Sequence, residues 1–529
     1  MKRSLKRTAV RYAMTGHENH KYEPLPSSGE DSDPVTSADS DDILQSLEEH
    51  LRKFKKRSRR KVINMGIAAV VVLALVYWIA VGFGLPTNSS CDSINTGYYC
   101  RPEISHFWGQ YSPYFAVPSE ISASVPDQCE ISFAQILSRH GARDPTASKT
   151  AAYKALIDKI HNTTTSYGAD YTFIKDYECN LGADQLTVFG QQELINSGIK
   201  YYNRYKSLAS TITPFIRASG QDRVVESAQN WTQGFHSARL ADSSSSANAS
   251  YPYNIVIISE DTGSNNTLDH SLCTGFEDGP NSKIGNSAQA TWSAIFTPNI
   301  TSRLNAGIPG ANLTSTDTIN LMDLCPYNTV ASPTGTISPF CNIFTAADWK
   351  AYDYYQSLGK YYGYAWGNPL GPTQGVGFTN ELIARLTNNP LQDHTSTNHT
   401  LDDNPDTFPI DKSIKLYADF SHDNDMTGIF SALGLYNSTN PLSKTTREDA
   451  VQTNGYSASW SVPFAARMYV EKMTCAGESE ELVRVIINDR VMPLETCGGD
   501  EFGRCGLSQF VESLSFASEG GDWGSCFTS

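Results

Sequence analysis

The chain has 529 residues and a formal net charge of −15 at pH 7. Residues 1–61 contain 14 lysines and arginines and 10 acidic residues, whereas residues 85–529 contain 27 lysines and arginines and 46 acidic residues. The acidic part repels polyanions at long range, although salt screens this repulsion beyond roughly 8 Å. Nucleic acid is therefore excluded as an expected partner, and an anionic substrate has to be captured by a few local basic residues.

The amino-terminal part of the chain predicts a membrane anchor behind a cytoplasmic tail. Residues 62–84 are mostly apolar and contain no charged residue, and such a stretch is long enough to span a bilayer as a helix. Eight of the ten residues 52–61 are Lys or Arg, which favours the cytoplasmic side for this flank. Residues 27–42 are rich in Ser, Asp and Pro, which is typical of a disordered segment.

These features predict a single-pass type II membrane protein in three parts. Residues 1–61 form a cytoplasmic disordered tail with a basic juxtamembrane flank, residues 62–84 form the transmembrane helix, and residues 85–529 form the folded domain. We expect that domain to lie outside the cell or in a secretory or vacuolar lumen.

The first cluster of ionic side chains follows a predicted buried strand at residues 131–137. The next residues run from Arg139 through His140 to Arg143, and a Gly and a Pro break the strand into a turn. Arg offers a planar fork that suits phosphate, and a His between two such forks can form a bond to phosphorus. The cluster therefore predicts a phosphate site with His140 as candidate nucleophile, although a surface ion-pair cluster beside a turn is the alternative interpretation.

The segments that follow predict an α/β fold. Apolar residues recur at helical intervals in residues 147–161, 184–208 and 223–240, and further strands are predicted at residues 255–258, 467–470 and 482–487. We expect a mixed sheet domain with helices on both faces and a second, mostly helical domain inserted at approximately residues 147–355. The substrate cleft should lie between the two.

A second cluster of ionic side chains follows another predicted strand, at residues 416–420. The turn after this strand contains His422 and Asp423. Two strands that deliver ionisable groups to one edge of a sheet can assemble a single site from distant parts of the chain.

The chain resembles the histidine acid phosphatase family, and fungal phytases most closely. The signature Arg-His-Gly-x-Arg-x-Pro is matched from Arg139 to Pro145, and the downstream His-Asp pair is matched by His422 and Asp423. The resemblance extends from about Cys91 to Cys526, with further similar segments at residues 109–113, 215–220, 367–377 and 417–424.

The resemblance implies a role for each residue of the site. His140 attacks phosphorus and Asp423, carrying its proton at a mildly acidic working pH, protonates the departing alcohol. The transferring phosphoryl group is bound by Arg139, Arg143, Arg217 and His422. The rim of the substrate pocket includes Tyr111, Lys149, Lys360 and Asn424.

All 11 cysteines lie beyond residue 90, which fits an oxidising compartment, as do nine Asn-x-Ser/Thr sequons that suit a glycosylated domain. Spacing alone does not pair the cysteines, and no Cys-x-x-Cys occurs, so we expect neither a metal nor another cofactor. The resemblance implies one unpaired cysteine, Cys179, and five disulfides: Cys91–Cys100, Cys129–Cys475, Cys273–Cys526, Cys325–Cys341 and Cys497–Cys505.

Departures from the phytase pattern affect the expected substrate. Related phytases often have two lysines where this chain reads Leu358-Gly359-Lys360 and a Gly-Ala pair where it reads Ala365-Trp366. Asp144 replaces an aromatic residue of the signature. Three functions therefore remain open: a phytase-like acid phosphomonoesterase acting on myo-inositol hexakisphosphate and related esters, a broad acid phosphatase on nucleotide, sugar or protein phosphates, and a catalytically inactive phosphate-binding receptor. The joint presence of His140 and Asp423 favours an enzyme. The oligomeric state is not predicted.

Overall fold

A computed structural model describes residues 91–527 except 246–249 and 252. The predicted tail at residues 1–61 and the predicted transmembrane helix at residues 62–84 lie outside the described residues. Within the described part, every helix is too short or too polar to cross a bilayer.

Ten strands occur among the described residues, and most belong to one mixed sheet. They are β1 (Asp92–Ser93), β2 (Gly97–Tyr98), β3 (Cys129–Arg139), β4 (Phe215–Ser219), β5 (Ile255–Ile258), β6 (Leu416–Ser421), β7 (Arg467–Cys475), β8 (Leu482–Ile487), β9 (Arg490–Val491) and β10 (Arg504–Gly506). β1 and β2 form a separate antiparallel pair. The others form an eight-stranded sheet in the order β10-β8-β7-β3-β6-β4-β5, with β9 beside β8. The predicted strands at residues 131–137, 255–258, 416–420, 467–470 and 482–487 are all present.

The centre of the sheet combines parallel and antiparallel pairing. β3 pairs with β6 in parallel and with β7 antiparallel, and β4 lies parallel to both β6 and β5. β3 is buried on both sides: Phe133 and Leu137 enter one core, whereas Ala134 and Ile136 enter the other. The parallel pairs bring the carboxyl ends of β3, β4 and β6 to one edge.

Fifteen α-helices occur in the described part of the chain. They are α1 (Pro102–Ser105), α2 (Ala147–Thr163), α3 (Val188–Arg204), α4 (Lys206–Ala209), α5 (Asp222–Ala241), α6 (Thr274–Glu277), α7 (Ile284–Gly307), α8 (Ser315–Val330), α9 (Ala346–Tyr364), α10 (Val376–Thr387), α11 (His399–Asp402), α12 (Asp423–Ala432), α13 (Ala458–Ser461), α14 (Leu507–Ser513) and α15 (Ser515–Ser518). Several begin where the sequence provides a cap; Thr345 and Asp348, for example, form a capping box at the start of α9.

The helices cover both faces of the sheet, as predicted. Leu382 of α10 and Ile429 of α12 share a core with Phe133. On the opposite face, Leu194 of α3 and Trp231 of α5 share a core with Ala134 and Ile136 of β3. The α/β fold with a mixed sheet is therefore confirmed.

A separate helical layer has its own core. Leu156 of α2, Leu304 of α7, Leu324 of α8 and Trp349 of α9 pack together there. The predicted helical insertion at approximately residues 147–355 was too broad, because β4 and β5 enter the sheet and α3 and α5 cover its face.

Five disulfides stabilise the described chain, and they are the same pairs that the resemblance implies. They are Cys91–Cys100, Cys129–Cys475, Cys273–Cys526, Cys325–Cys341 and Cys497–Cys505. The second joins directly paired positions of β3 and β7, and Cys179 is a free, partly buried thiol.

Candidate active site

The two ionic clusters meet at the carboxyl ends of β3 and β6. In the parallel register Arg139 is opposite Ser421, so the next residue of each strand lies at the same edge. The backbone N–H of His140 donates to the carbonyl of Ser421 at 3.1 Å, and the ring centroids of His140 and His422 are 5.6 Å apart. Strand pairing alone thus brings together residues that are 282 positions apart in the sequence.

The imidazole of His140 is buried and has one nitrogen suited to attack. Its Nδ1 lies 2.9 Å from the carbonyl oxygen of Gly141, which can only accept, so Nδ1 carries the hydrogen and Nε2 has the lone pair. Burial holds the pKa of His140 well below its ordinary value, and the nearby Arg139, Arg223 and Arg143 lower it further. The lowered pKa favours the neutral ring, in which Nε2 keeps the lone pair that can attack phosphorus.

Three guanidinium groups surround His140. Nη1 of Arg139 donates to the carbonyls of Gln110 and, at 2.9 Å, Val462, and Nη1 of Arg143 donates to the carbonyl of Asp144 at 2.8 Å. For Nη2 of Arg139 and Nε of Arg143 and Arg223, no hydrogen-bond partner is found among the described residues. These buried donors are arranged to bind an anion in front of His140.

Arg217, which was expected to bind phosphate, is occupied elsewhere. Its Nε lies 2.8 Å from Asp419, its Nη2 lies 2.5 Å from Glu381, and its Nη1 lies 3.7 Å from Asp402. Three carboxylates neutralise this buried guanidinium, so the assignment to the phosphate site was wrong.

Arg223, rather than Arg217, lies near His140. It lies in the first turn of α5, just beyond the carboxyl end of β4, and it contributes to lowering the pKa of His140. A signal was present in the sequence, because a cation at the start of a predicted helix that follows a strand lies at the ligand-binding edge of the sheet.

Asp423, at the start of α12, lies between Lys360 and Arg139. Its Oδ2 lies 2.6 Å from Nζ of Lys360 and 3.5 Å from Nη2 of Arg139, and Lys360 also donates to Asn424. Burial would raise the pKa of Asp423, but Arg139 and Lys360 hold it well below its ordinary value. In the ligand-free site Asp423 is therefore a carboxylate, and its expected role as proton donor in the reaction stays a prediction.

His422 is oriented by a residue that the sequence did not identify. Its Nε2 lies 2.9 Å from Oε1 of Glu260, which also accepts from the hydroxyl of Ser219. Glu260 follows β5 and thus reaches the same edge of the sheet from its outermost parallel strand.

A second carboxylate that the sequence did not identify positions the catalytic turn. Glu193 of α3 accepts from the backbone N–H of Ala142 and from that of Tyr114, both at 2.9 Å. Burial raises the pKa of Glu193 to about 7. The helical pattern of residues 184–208 predicted a core-facing helix but contained no sign of this contact.

The cavity in front of these residues has a volume of about 500 Å³ and brings together the expected rim residues. Tyr111, Lys149, Lys360 and Asn424 line it with Arg143 and Asp423, and so do Gln289 of α7 and Glu277 of α6. Nζ of Lys149 lies 3.2 Å from the buried carboxylate of Asp323. The cavity lies between the sheet edge and the helical layer, as expected for the cleft.

Asp144, the departure within the signature, is bound to the backbone of a neighbouring loop. Its carboxyl group accepts from the backbone N–H of Gly182, and burial raises its pKa against the effects of Gly182 and Arg143.

Comparison with known proteins relates this geometry to one family. Residues 130–488 match the model of the histidine phosphatase superfamily (branch 2). Phytase A of Aspergillus oryzae is 52% identical over 465 residues, covering 86% of this chain and 99% of that protein. Phytase A of Emericella nidulans is 54% identical over 445 residues, covering 83% and 94%. The crystal structure of the phytase from D. castellii aligns with a TM-score of 0.66 at 24% identity, covering 84% of this chain and 92% of that one, and thus shares the fold.

Proposed function

This chain belongs to branch 2 of the histidine phosphatase superfamily and is a phytase-like phosphomonoesterase, and we propose that it releases phosphate from inositol polyphosphates through a phosphohistidine intermediate at His140. The observation that carries this proposal is the buried imidazole of His140 among three guanidinium groups, one of which lies 3.5 Å from the carboxyl group of Asp423. These relatives are named as phytases, which supports an inositol phosphate as substrate.

The first step forms a bond between Nε2 of His140 and phosphorus. The bond from phosphorus to the leaving oxygen breaks, and the proton of Asp423 goes to that oxygen. Arg139, Arg143, Arg223 and His422 stabilise the charge on the phosphoryl oxygens. In the second step, water attacks phosphorus, the phosphorus–nitrogen bond breaks, and the proton of the water goes to Asp423.

The substrate itself changes the protonation of Asp423. Its phosphate is drawn to Arg139 and Lys360, the two cations that hold Asp423 as a carboxylate in the free site. The added negative charge raises the pKa of Asp423, so a phosphate that arrives as the monoanion can transfer its proton to this carboxyl group.

A broad acid phosphatase would use the same chemistry with a different leaving group. The two rim lysines are each paired with a carboxylate, Lys149 with Asp323 and Lys360 with Asp423. Because a carboxylate neutralises each rim lysine, the rim attracts additional phosphate groups on a substrate less strongly. This favours activity on substrates whose leaving group carries no further phosphate. An inactive receptor would have no use for an attacking nitrogen opposite a proton donor.

We also infer that residues 62–84 anchor the enzyme as a type II membrane protein. The uncharged apolar stretch and the basic flank at residues 52–61 support this orientation. The five disulfides support a catalytic domain, residues 85–529, on the extracellular or lumenal side.

One experiment on sealed microsomal vesicles tests the activity and the topology together. With the full chain in the vesicles, we expect added myo-inositol hexakisphosphate to lose phosphate only after detergent opens the membrane. His140→Ala should lower this release by at least about 10³-fold. Release without detergent would contradict the orientation, and release by the His140→Ala variant would contradict the mechanism.

A further inference from the structure

We propose that Glu277, held by His270 on the wall of the substrate cavity, is a specificity-determining residue that disfavours leaving groups carrying a further phosphate at this wall. The inference rests on the proposed function, because it concerns the leaving group in the same cavity. Neither residue takes part in the chemical steps at His140.

The carboxylate of Glu277 has a fixed position at the cavity. It ends the short helix α6, whose preceding residue Cys273 is joined to Cys526. Phe276 is buried beside this disulfide, and the hydroxyl of Thr274 donates to the carbonyl of Cys526 at 3.0 Å. The Glu277 side chain lines the cavity and is 34% exposed, so it can meet a bound ligand but cannot easily move away from it.

His270 fixes the position of the Glu277 carboxylate. Its Nδ1 lies 2.5 Å from Oε1 of Glu277, and its Nε2 lies 4.0 Å from Oδ1 of Asp425. The ring also contacts Phe276 and Tyr364, with centroids 5.4 and 5.5 Å away.

Charges at this corner of the cavity do not cancel. Burial lowers the pKa of His270, but Asp425, Glu277 and Asp269 more than offset this and raise it to about 9. Burial raises the pKa of Asp425 to about 6, against the effect of His270 and His422. Above that pH, one imidazolium therefore faces two nearby carboxylates, and of the two only Glu277 lines the cavity.

The corner is close to the reacting bond. Nζ of Lys360 lies 2.6 Å from Asp423 and 5.3 Å from the centre of the Tyr364 ring, and Asp423, Tyr364 and Glu277 all line the cavity. A ring-shaped leaving group that receives its proton from Asp423 can therefore reach past Tyr364 to Glu277. A unit charge pair 4 Å apart in water changes binding by about fivefold, and less water gives a larger effect.

The test compares two substrates on the full-length chain in detergent. KM is measured for myo-inositol hexakisphosphate and for p-nitrophenyl phosphate, whose leaving group has no further phosphate. In Glu277→Gln, the ratio of the first KM to the second should fall about fivefold or more at low salt, and high salt should reduce this change. His270→Gln should raise the same ratio, because it removes a cation and leaves the carboxylate.

Asp278→Asn is the matched control, since Asp278 is the exposed next residue and does not line the cavity. It should leave the ratio unchanged. An unchanged ratio in Glu277→Gln, or equal changes in KM for both substrates, would overturn the role of Glu277. Failure of the unmodified chain to release phosphate from either substrate would instead overturn the proposed function.

Discussion

Asp423 illustrates how a single residue can have one charge in the free site and need another in the reaction. Lys360 and Arg139 hold its pKa well below the ordinary value against the effect of burial. A general acid has to be protonated when the leaving oxygen departs. Lys360 therefore helps to set the highest pH at which Asp423 can act as a general acid, in addition to any contact that it makes with substrate.

Loss of this lysine should move the pH profile upward. In Lys360→Met the pKa of Asp423 should rise, so its protonated form should persist to higher pH. The pH at which kcat on alkyl phosphates declines should therefore increase by on the order of one pH unit. Lys149→Met is the matched control, because Lys149 pairs with Asp323 and not with Asp423. In this variant the pH at which kcat declines should not change. An unchanged or lower pH of this decline in Lys360→Met would contradict this account of Asp423.

At the scale of elements, β4 and α5 separate two arginines that are six positions apart in the sequence. Arg217 lies within β4 directly opposite Asp419 of β6, so the two side chains share a face of the sheet. Arg223 lies beyond the strand, in the first turn of α5 at the ligand-binding edge. The apolar pattern predicted five of the ten strands and the helix at residues 223–240, but it did not predict β4. The register that places Arg217 opposite Asp419 depends on strand pairing, which a single sequence does not reveal.

Substitution of Arg223 should therefore reduce catalysis, whereas substitution of Arg217 should reduce stability. Arg223→Gln should lower kcat by about 10²- to 10³-fold with little change in Tm, because it removes a donor to the transition state. Arg217→Gln should cost about 3–5 kcal/mol of folding free energy, because buried carboxylates of Asp419 and Glu381 lose their partner. Thermal unfolding and steady-state kinetics on both variants check this. A stable but inactive Arg217→Gln, or a fully active Arg223→Gln, would return the phosphate-binding role to Arg217.

At the scale of the whole molecule, chemistry is concentrated where the sheet meets the helical layer. The sequence motifs identified His140, Arg139, Arg143, His422 and Asp423, and the parallel pairing of β3 with β6 explains why they meet. The disulfides followed from the resemblance, since cysteine spacing could not pair them. The extent of the helical layer could not be predicted from periodicity, because a helix that covers a sheet and one that packs on helices show the same apolar spacing.

Rapid quenching can trap the bond between phosphorus and Nε2 of His140 through which we propose that phosphate passes. Radiolabelled substrate is mixed with the full-length chain and quenched in alkali, where phosphohistidine survives, within a single turnover. We predict label on one peptide at His140, with amplitude near one per active chain, loss of the label in acid, and no label in His140→Ala. Phosphate release at the normal rate with no bound label, or label on another residue, would contradict the account.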